Sequence, residues 1–409
     1  MSASVPAGPV SMSPGVVVVL LSLLLGLQPL TTDLYLPALP GLTRALGAEP
    51  AQAQAQATLA VLLLAFGISQ LAWGPLSDRF GRRPVLLAGI GIYVGASVGC
   101  ALAPSMDLLV AWRAAQGAAM GAAVMGARAI VRDLYEPQVG ARTMAKGLSG
   151  LGVIACLSAP LGGVVADLFG WRWALALLGI FSALLWLIIA RHFTESLPAE
   201  RRAPLHPGAI ARSWWTIIRH PTFLAGSALA TTSYAGLFTF LATAPFVFGQ
   251  VIGLGATEVG VALFSVSLTY LAGTVLARRL LTRIGLRRAV MWAGGVSLLA
   301  GTVLVLLAWA GVRGIWALLP PIWLFMLAHG VHQPCGQVVA VAPFPKAAGA
   351  AAALNGFLMM LVAFAMGGWL GRQAMDSAWP LVSGLWFWGV CIAVVAFTLV
   401  RRHGELRRA

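Results

Sequence analysis

The sequence predicts an all-α integral membrane protein, with twelve spanning helices in two pseudo-symmetric halves of six. Three observations lead there. The 409 residues are 59% hydrophobic and only 10% charged, whereas a soluble protein carries roughly 25% charged residues. The apolar residues fall into runs of about 20, the length that crosses a bilayer as a helix. One charged stretch also recurs half a chain later in weakened form. Leu76, Arg79, Gly81 and Arg83 return as Leu280, Arg283, Gly285 and Arg287, at one constant offset. A charged junction placed alike in two hydrophobic halves points to a duplicated membrane transporter.

The chain opens with a tail, 1–15, that contains no Lys or Arg. The positive region of a cleaved leader is therefore missing, and the first apolar run is too long for a leader core. Spans follow near 16–39, 56–77, 84–104, 107–130, 143–166 and 172–191. A link over 192–221 contains Glu195, Pro198, Glu200, Pro204 and Pro207, a composition that resists helix formation. It ends in Arg212-Ser-Trp214-Trp215, which suits a short helix lying in the membrane interface. Spans resume near 222–247, 257–277, 289–310, 315–339, 347–370 and 379–400, and a basic tail, 401–409, closes the chain.

The net charge of +15 would suggest nucleic acid in a soluble protein. Here the basic residues sit at the ends of apolar runs, so they are read as topology signals, with anionic lipids as partners and no nucleic acid. One side of the membrane collects Arg79, Arg82, Arg83, Arg128, Arg132, Arg142, Lys146, the arginines of the link, those at 278–288, Lys346 and the tail. The other side has only Arg44, Arg172, Arg313 and Arg372. The basic side is expected to be cytoplasmic, and an even number of spans then puts both termini there. The four cysteines lie in separate apolar runs and suggest neither a disulfide nor a metal framework. No nucleophile–base constellation, nucleotide loop or metal cluster points to an enzyme, and no cofactor is implied beyond a proton gradient.

Gly74-x-x-x-Asp78-Arg79-x-Gly81-Arg82-Arg83 lies after span two. Its glycines permit a tight turn and close helix approach. Asp78 can meet a helix N-terminus or a neighbouring cation, and the arginines can hold headgroups or helix C-termini. This stretch resembles the loop motif of the major facilitator superfamily. Thr31-Thr-Asp33-Leu-Tyr35-Leu-Pro37 in span one, Arg113-x-x-Gln116-Gly117 in span four, Ser158-Ala-Pro160-Leu-Gly162-Gly163 in span five and His332-Gln333-Pro-Cys-Gly336 in span ten narrow the resemblance. Together they resemble the Bcr/CflA group of drug:proton antiporters over about residues 16–400. The resemblance implies a bacterial inner-membrane, multi-pass monomer that exports small drug-like molecules in exchange for protons by alternating access. It also implies that the cluster around Asp78 latches one access state. Thr282 stands where the second copy would have the acid, so the latch is expected to depend on the first half. The antiporter motif of span five is imperfect, with Ala159 in place of the group's first glycine. A proton-coupled importer of a small nutrient therefore stays open as an alternative, as does a non-transporting sensor.

Asp33 and Arg113 are the key ionisable residues within spans. A charge in mid-membrane costs at least ~2.5–3.5 kcal/mol and is usually functional. Pro29 and Pro37 flank Asp33 one turn either side and would loosen the helix beside the carboxylate. Asp33 is a candidate for proton or substrate coupling, or else a structural cap or ion-pair member. Arg113 is a candidate for the same network or for purely structural hydrogen bonding. One charge moved inward supplies about 2.3 kcal/mol per 100 mV, enough for roughly a fiftyfold outward gradient of a neutral substrate. His329, His332, Gln333 and Gly336 share one face of span ten, a stripe for substrate contact or for helix–helix hydrogen bonds. Tyr35, Tyr234, Phe238, Tyr270, Asn355 and Met359 complete the candidate pocket, since aromatic and Met side chains suit loosely specific apolar binding.

Overall fold

The long apolar runs form helices. The computed structural model describes residues 12–47, 51–202, 206–312, 314–373 and 376–404, and contains no strand among them. The first group of helices is α1 (Pro14–Asp33), the short α2 (Leu39–Ala45), α3 (Ala51–Phe80), α4 (Arg82–Leu102), α5 (Met106–Leu134), α6 (Pro137–Phe169) and α7 (Trp171–His192). The short α8 (Pro207–Ile218) leads to α9 (Pro221–Phe246), α10 (Ala256–Trp309), α11 (Ile315–Val341), α12 (Ala348–Leu370) and α13 (Trp379–Val395). The N-terminal and C-terminal tails before 12 and after 404, like Arg313 and Pro204, lie outside the described residues.

Eleven helical stretches among the described residues are long and apolar enough to cross a membrane. One of them, α10, has 54 residues. At 1.5 Å per residue it would run about 80 Å, far beyond the ~30 Å hydrocarbon core. It is in fact two helices that meet at Gly285, whose φ of 77° and ψ of 169° are not helical. Gly81, between α3 and α4, has nearly the same geometry, with φ 100° and ψ 160°. Glycine adopts positive φ without a Cβ penalty, so the repeat in the sequence returns as a repeated backbone hinge.

The junction is tighter than the sequence suggests. The sequence ends span two near 77 and starts the next near 84, but α3 runs on to Phe80 and only Gly81 separates it from α4. A long loop is unnecessary because a distant carboxylate caps α4. Glu195 accepts from the backbone N–H of Arg82 at 2.8 Å and of Arg83 at 3.2 Å. The span expected at 16–39 lies within an apolar stretch over Pro14–Ala45 and is broken inside it, since α1 stops at Asp33 and a 3₁₀ turn covers Leu36–Ala38 before α2.

Within the first group α3 packs on α5, α4 on α5 and α7, and α1 on α6. Within the second, α11 packs on α9 and α10, and α13 on α9 and α10. Two seams join the groups, α3 with α12 and α6 with α10. Exposed apolar side chains cover the outside, and large ones such as Trp173, Trp309, Trp316 and Trp379 stand at helix ends opposite the Gly81–Gly285 end. Apolar flanks with a ring of tryptophans match a lipid-facing surface. The helix expected around Arg212 extends back to Pro207. Its Ile217 is buried against Phe223, Ala340 and Leu354, while Trp215 is exposed beneath Arg219.

Candidate functional site

A cavity of about 330 Å³ lies between the two helix groups, within the usual size for a small-molecule site. Gln28, Thr32, Asp33, Gln70 and Arg128 line it from the first group, and Tyr234, Tyr270, His329, Gln333 and Asn355 from the second. Met359 lines it too, and accepts from the Gln333 and Asn355 amides at 3.7 and 3.6 Å. His329 is held on two sides. Its Nδ1 meets the Ser233 hydroxyl at 2.7 Å, and its ring lies 5.3 Å from that of Tyr270.

Three expected pocket residues do not line the cavity. Tyr35 is buried beside it, with its hydroxyl 3.0 Å from Thr58 and its ring 4.1 Å below the Arg113 guanidinium. Phe238 is packed against α12 at Gly367. His332 is fully buried away from the cavity. The stripe on α11 is therefore divided. His329 and Gln333 face the cavity, whereas Gly336 carries the backbone contact with α9, where a Cβ would come within 2.8 Å of the Ala230 nitrogen. Residues three and four apart share a broad face, but two neighbouring helices and a cavity divide it among them.

Asp33 closes one end of the cavity. Its carboxylate accepts from the Thr32 hydroxyl at 2.7 Å and makes no ion pair among the described residues. Arg113 does not join it. Fully buried, Arg113 donates to the Thr31 carbonyl at 3.1 Å and to Gln116 at 2.7 Å, and Gln116 donates on to Ser97 at 2.8 Å. The Thr31 carbonyl belongs to the last turn of α1, where helix carbonyls lose their own partners. Arg113 thus holds the end of α1 from behind while Asp33 faces the cavity. Gly117 lets α5 approach the Leu62 carbonyl of α3 directly, without a side chain between.

Just beyond Asp33, α6 touches backbone to backbone both the end of α1 in its own group and α10 in the other group. A Cβ on Gly162 would overlap the Leu34 carbonyl, and one on Gly163 would come within 2.5 Å of the Ala256 carbonyl. Opposite them, a Cβ on Gly260 would lie 2.7 Å from the Ala159 carbonyl and 3.0 Å from Pro160. Small residues allow this closeness, as they do between membrane helices generally. Asp167 then caps α10, accepting from the Thr257 backbone N–H at 2.8 Å and from its hydroxyl. The cavity is closed here and extends the other way, to Arg128, Leu148 and Val341.

At the Gly81 end the charges form a cluster. Asp78 accepts from Arg82 at 2.8 Å and Arg132 at 3.0 Å, and Arg82 also reaches Asp133 at 2.7 Å. Arg83 donates to the Phe193 and Ala190 carbonyls, both at 2.8 Å, and so holds the C-terminus of α7. Arg79 is exposed and lies over the Phe80 ring. Gly74 lies against Met125 of α5. In the second copy Thr282 only bonds back to the carbonyls of Arg278 and Arg279.

Comparison with known proteins decides the family. A family model described as the Major Facilitator Superfamily matches residues 21–368. The chain belongs to the major facilitator superfamily. This major facilitator is 31% identical over 345 residues to multidrug resistance protein D of Escherichia coli K12, covering 83% of this chain and 84% of that protein. It is 28% identical to a bicyclomycin resistance protein homolog of Haemophilus influenzae over 91% of this chain and 92% of the relative. It is 30% identical to a chloramphenicol resistance protein of Pseudomonas aeruginosa over 87% of this chain and 84% of the relative. These relatives agree with the Bcr/CflA resemblance. The fold matches that of the E. coli xylose transporter XylE, with a TM-score of 0.75 at 15% identity over 95% of this chain and 97% of the other.

Several site residues of this major facilitator carry no motif signal. Asp133 and Glu195 look like ordinary polar ends of apolar runs, and their partners lie 51 and 113 positions away. Asp167 resembles a loop acid. Arg128 was counted with the charges on the basic surface, but it lines the cavity instead. Its spacing of four from Arg132 places the two on one helix face, yet one reaches the surface cluster and the other does not.

Proposed function

We propose that the chain is a proton-coupled efflux antiporter for small amphipathic, drug-like molecules, working by alternating access. The observation that carries this reading is Asp33, the one carboxylate among the described lining residues, at the closed end of a mostly apolar cavity between two helix groups. A carboxylate there can take up a proton when the far side opens and release it when the basic side opens, and Asp33 is the group proposed to do so. Relatives named for multidrug, bicyclomycin and chloramphenicol resistance support drug export.

In this reading the helix groups are two six-span halves, 16–191 and 222–400, counted as twelve spans by dividing α10 at Gly285. Both termini and the basic end face the cytoplasm of a bacterial inner-membrane protein that works as a monomer, and anionic lipids meet the exposed arginines. The cavity then opens inward, towards substrate arriving from the cytoplasm or inner leaflet. Arg113 and Gln116 fix the turn that carries Asp33, Gly163 and Gly260 form the outer seam beside Pro160 while Gly162 seats the end of α1, and the Asp78 cluster latches the inner end.

Inverted membrane vesicles provide the test. Wild-type protein should accumulate substrate when the lumen is acidified, and Asp33→Asn should abolish that accumulation while substrate binding persists. Unchanged pH-driven accumulation in the variant would remove Asp33 from the mechanism. Efflux from the vesicles driven by the same gradient would show an importer instead.

A further inference from the structure

Of the arginines in the first helix group, Arg82 and Arg113 are buried and hydrogen-bonded, Arg113 through both terminal nitrogens with its Nε left without a partner. Arg128 differs. Half-buried on α5, it lines the cavity, makes no hydrogen bond or ion pair with any described residue, and has its Nη1 buried without a partner. The only carboxylate among the described lining residues, Asp33, is bonded to Thr32 instead. The cavity wall therefore carries an acid and a base that are not paired with each other. Arg128 stands on the open side of Asp33. One turn further along α5, Arg132 comes within 3.9 Å of where a side chain on Gly349 of α12 would begin. Across from Arg128, Asn355 and Gln333 are more than nine-tenths buried, and each leaves its amide oxygen without a partner.

A neutral apolar occupant would leave the guanidinium desolvated and unsatisfied, and a cation would be repelled by it. An anionic oxygen group would meet its planar fork, the geometry that arginine recognises best. The two free amide oxygens offer acceptors for a neighbouring N–H or O–H of the same molecule. The rings of Tyr234, Tyr270 and His329 offer faces for an aromatic body.

We propose that Arg128 is a specificity-determining residue, and that this cavity selects aromatic amphipathic molecules carrying an anionic oxygen group, such as a carboxylate or sulfonate, with that group docked on Arg128. The proposal rests on reading the cavity as the transport site. It concerns which molecules bind, and export is tested separately.

Two fluorescent probes with the same rings make the comparison: anilinonaphthalene sulfonate and its uncharged parent, phenylnaphthylamine. Saturable binding is measured on the full-length protein in nanodiscs of zwitterionic lipid. Arg128→Gln should weaken sulfonate binding about tenfold, the loss expected for a charge-assisted hydrogen bond, and leave the parent within about twofold. Equal weakening of both probes, or unchanged sulfonate binding, overturns the proposal. A measurement on the unmutated protein covers the case in which the variant does not fold: naphthoate should displace bound phenylnaphthylamine at lower concentration than naphthamide. Equal displacement by the two overturns the proposal as well. Proton-driven uptake of phenylnaphthylamine into inverted vesicles is the separate control. Its absence beside intact anion selectivity counts against export alone, and its presence beside charge-blind binding counts against the role of Arg128 alone.

Discussion

Arg82 and Arg132 both touch Asp78, but they should contribute very differently. Arg82 is 1% exposed and bridges Asp78 to Asp133, which is itself only 10% exposed. Removing one partner of a buried pair leaves an uncompensated charge and costs about 3–5 kcal/mol. Arg132 is 59% exposed, and a pair of that kind is worth roughly 0–1 kcal/mol. Arg82→Met should therefore lower the thermal unfolding temperature of the purified protein markedly, and Arg132→Met should barely change it. Similar losses in both variants would mean that burial does not set the strength of this cluster. Asp78 has a different expected role, because it is the partly exposed member shared by both arginines. Asp78→Asn should slow turnover while equilibrium substrate binding is kept. A large drop in affinity with normal turnover would contradict a latch.

Between α6 and α10 the contact is made by backbones, so it tolerates almost no added volume. A valine at Gly260 would push into the Ala159 carbonyl and Pro160. Overpacking of this kind costs about 1–3 kcal/mol, and here it would fall on the arrangement in which the seam is closed. Gly260→Val should accordingly shift the protein towards the opposite access state, seen as faster labelling of Cys156, on the cavity wall, from the far side of the membrane. Asp167 and Thr257 give the same seam a reversible handle. Their side chains are hydrogen-bonded across the two helix groups, so cysteines at both positions should cross-link on oxidation and stop transport until a reductant is added. Full activity in the cross-linked protein would show that the seam does not open during the cycle. The hinge at Gly81 behaves differently from the seam. It needs a positive φ, so Gly81→Ala should be strained whatever space is available.

At the scale of the whole molecule, charge and tryptophan placement define two unlike ends. The arginine-rich end includes Gly81 and Gly285, while Trp309, Trp316 and Trp379 ring the other. Moving Arg128 from the surface into the cavity leaves the bias intact, since it removes one basic residue from a large excess. A reporter fused to the C-terminus should thus be active in its cytoplasmic form and silent in its exported form; the reverse result would invert the orientation. In living cells, overexpression should raise resistance to part of a drug panel, and a protonophore should cancel the gain.

The sequence by itself determined the membrane class, the apolar runs that form helices, the duplicated hinge and the prominence of Asp33. These are local properties: apolar run length, a glycine where φ turns positive, and a carboxylate with no neighbour to hide it. The relation between the two hinges was legible because only glycine fits at Gly81 and Gly285, whatever surrounds them. What the tertiary structure decided is which way each helix faces. Two residues one turn apart, Arg128 and Arg132, look equivalent in the chain, yet one turns into the cavity and the other to the ionic cluster. His332 and Gln333 are adjacent, and only Gln333 lines the cavity. Asp133, Glu195 and Asp167 became functional candidates only through partners on other helices. Helical periodicity says which residues share a face, but the rotation of that face is set by close packing against neighbours far away in the chain, and no local pattern records it.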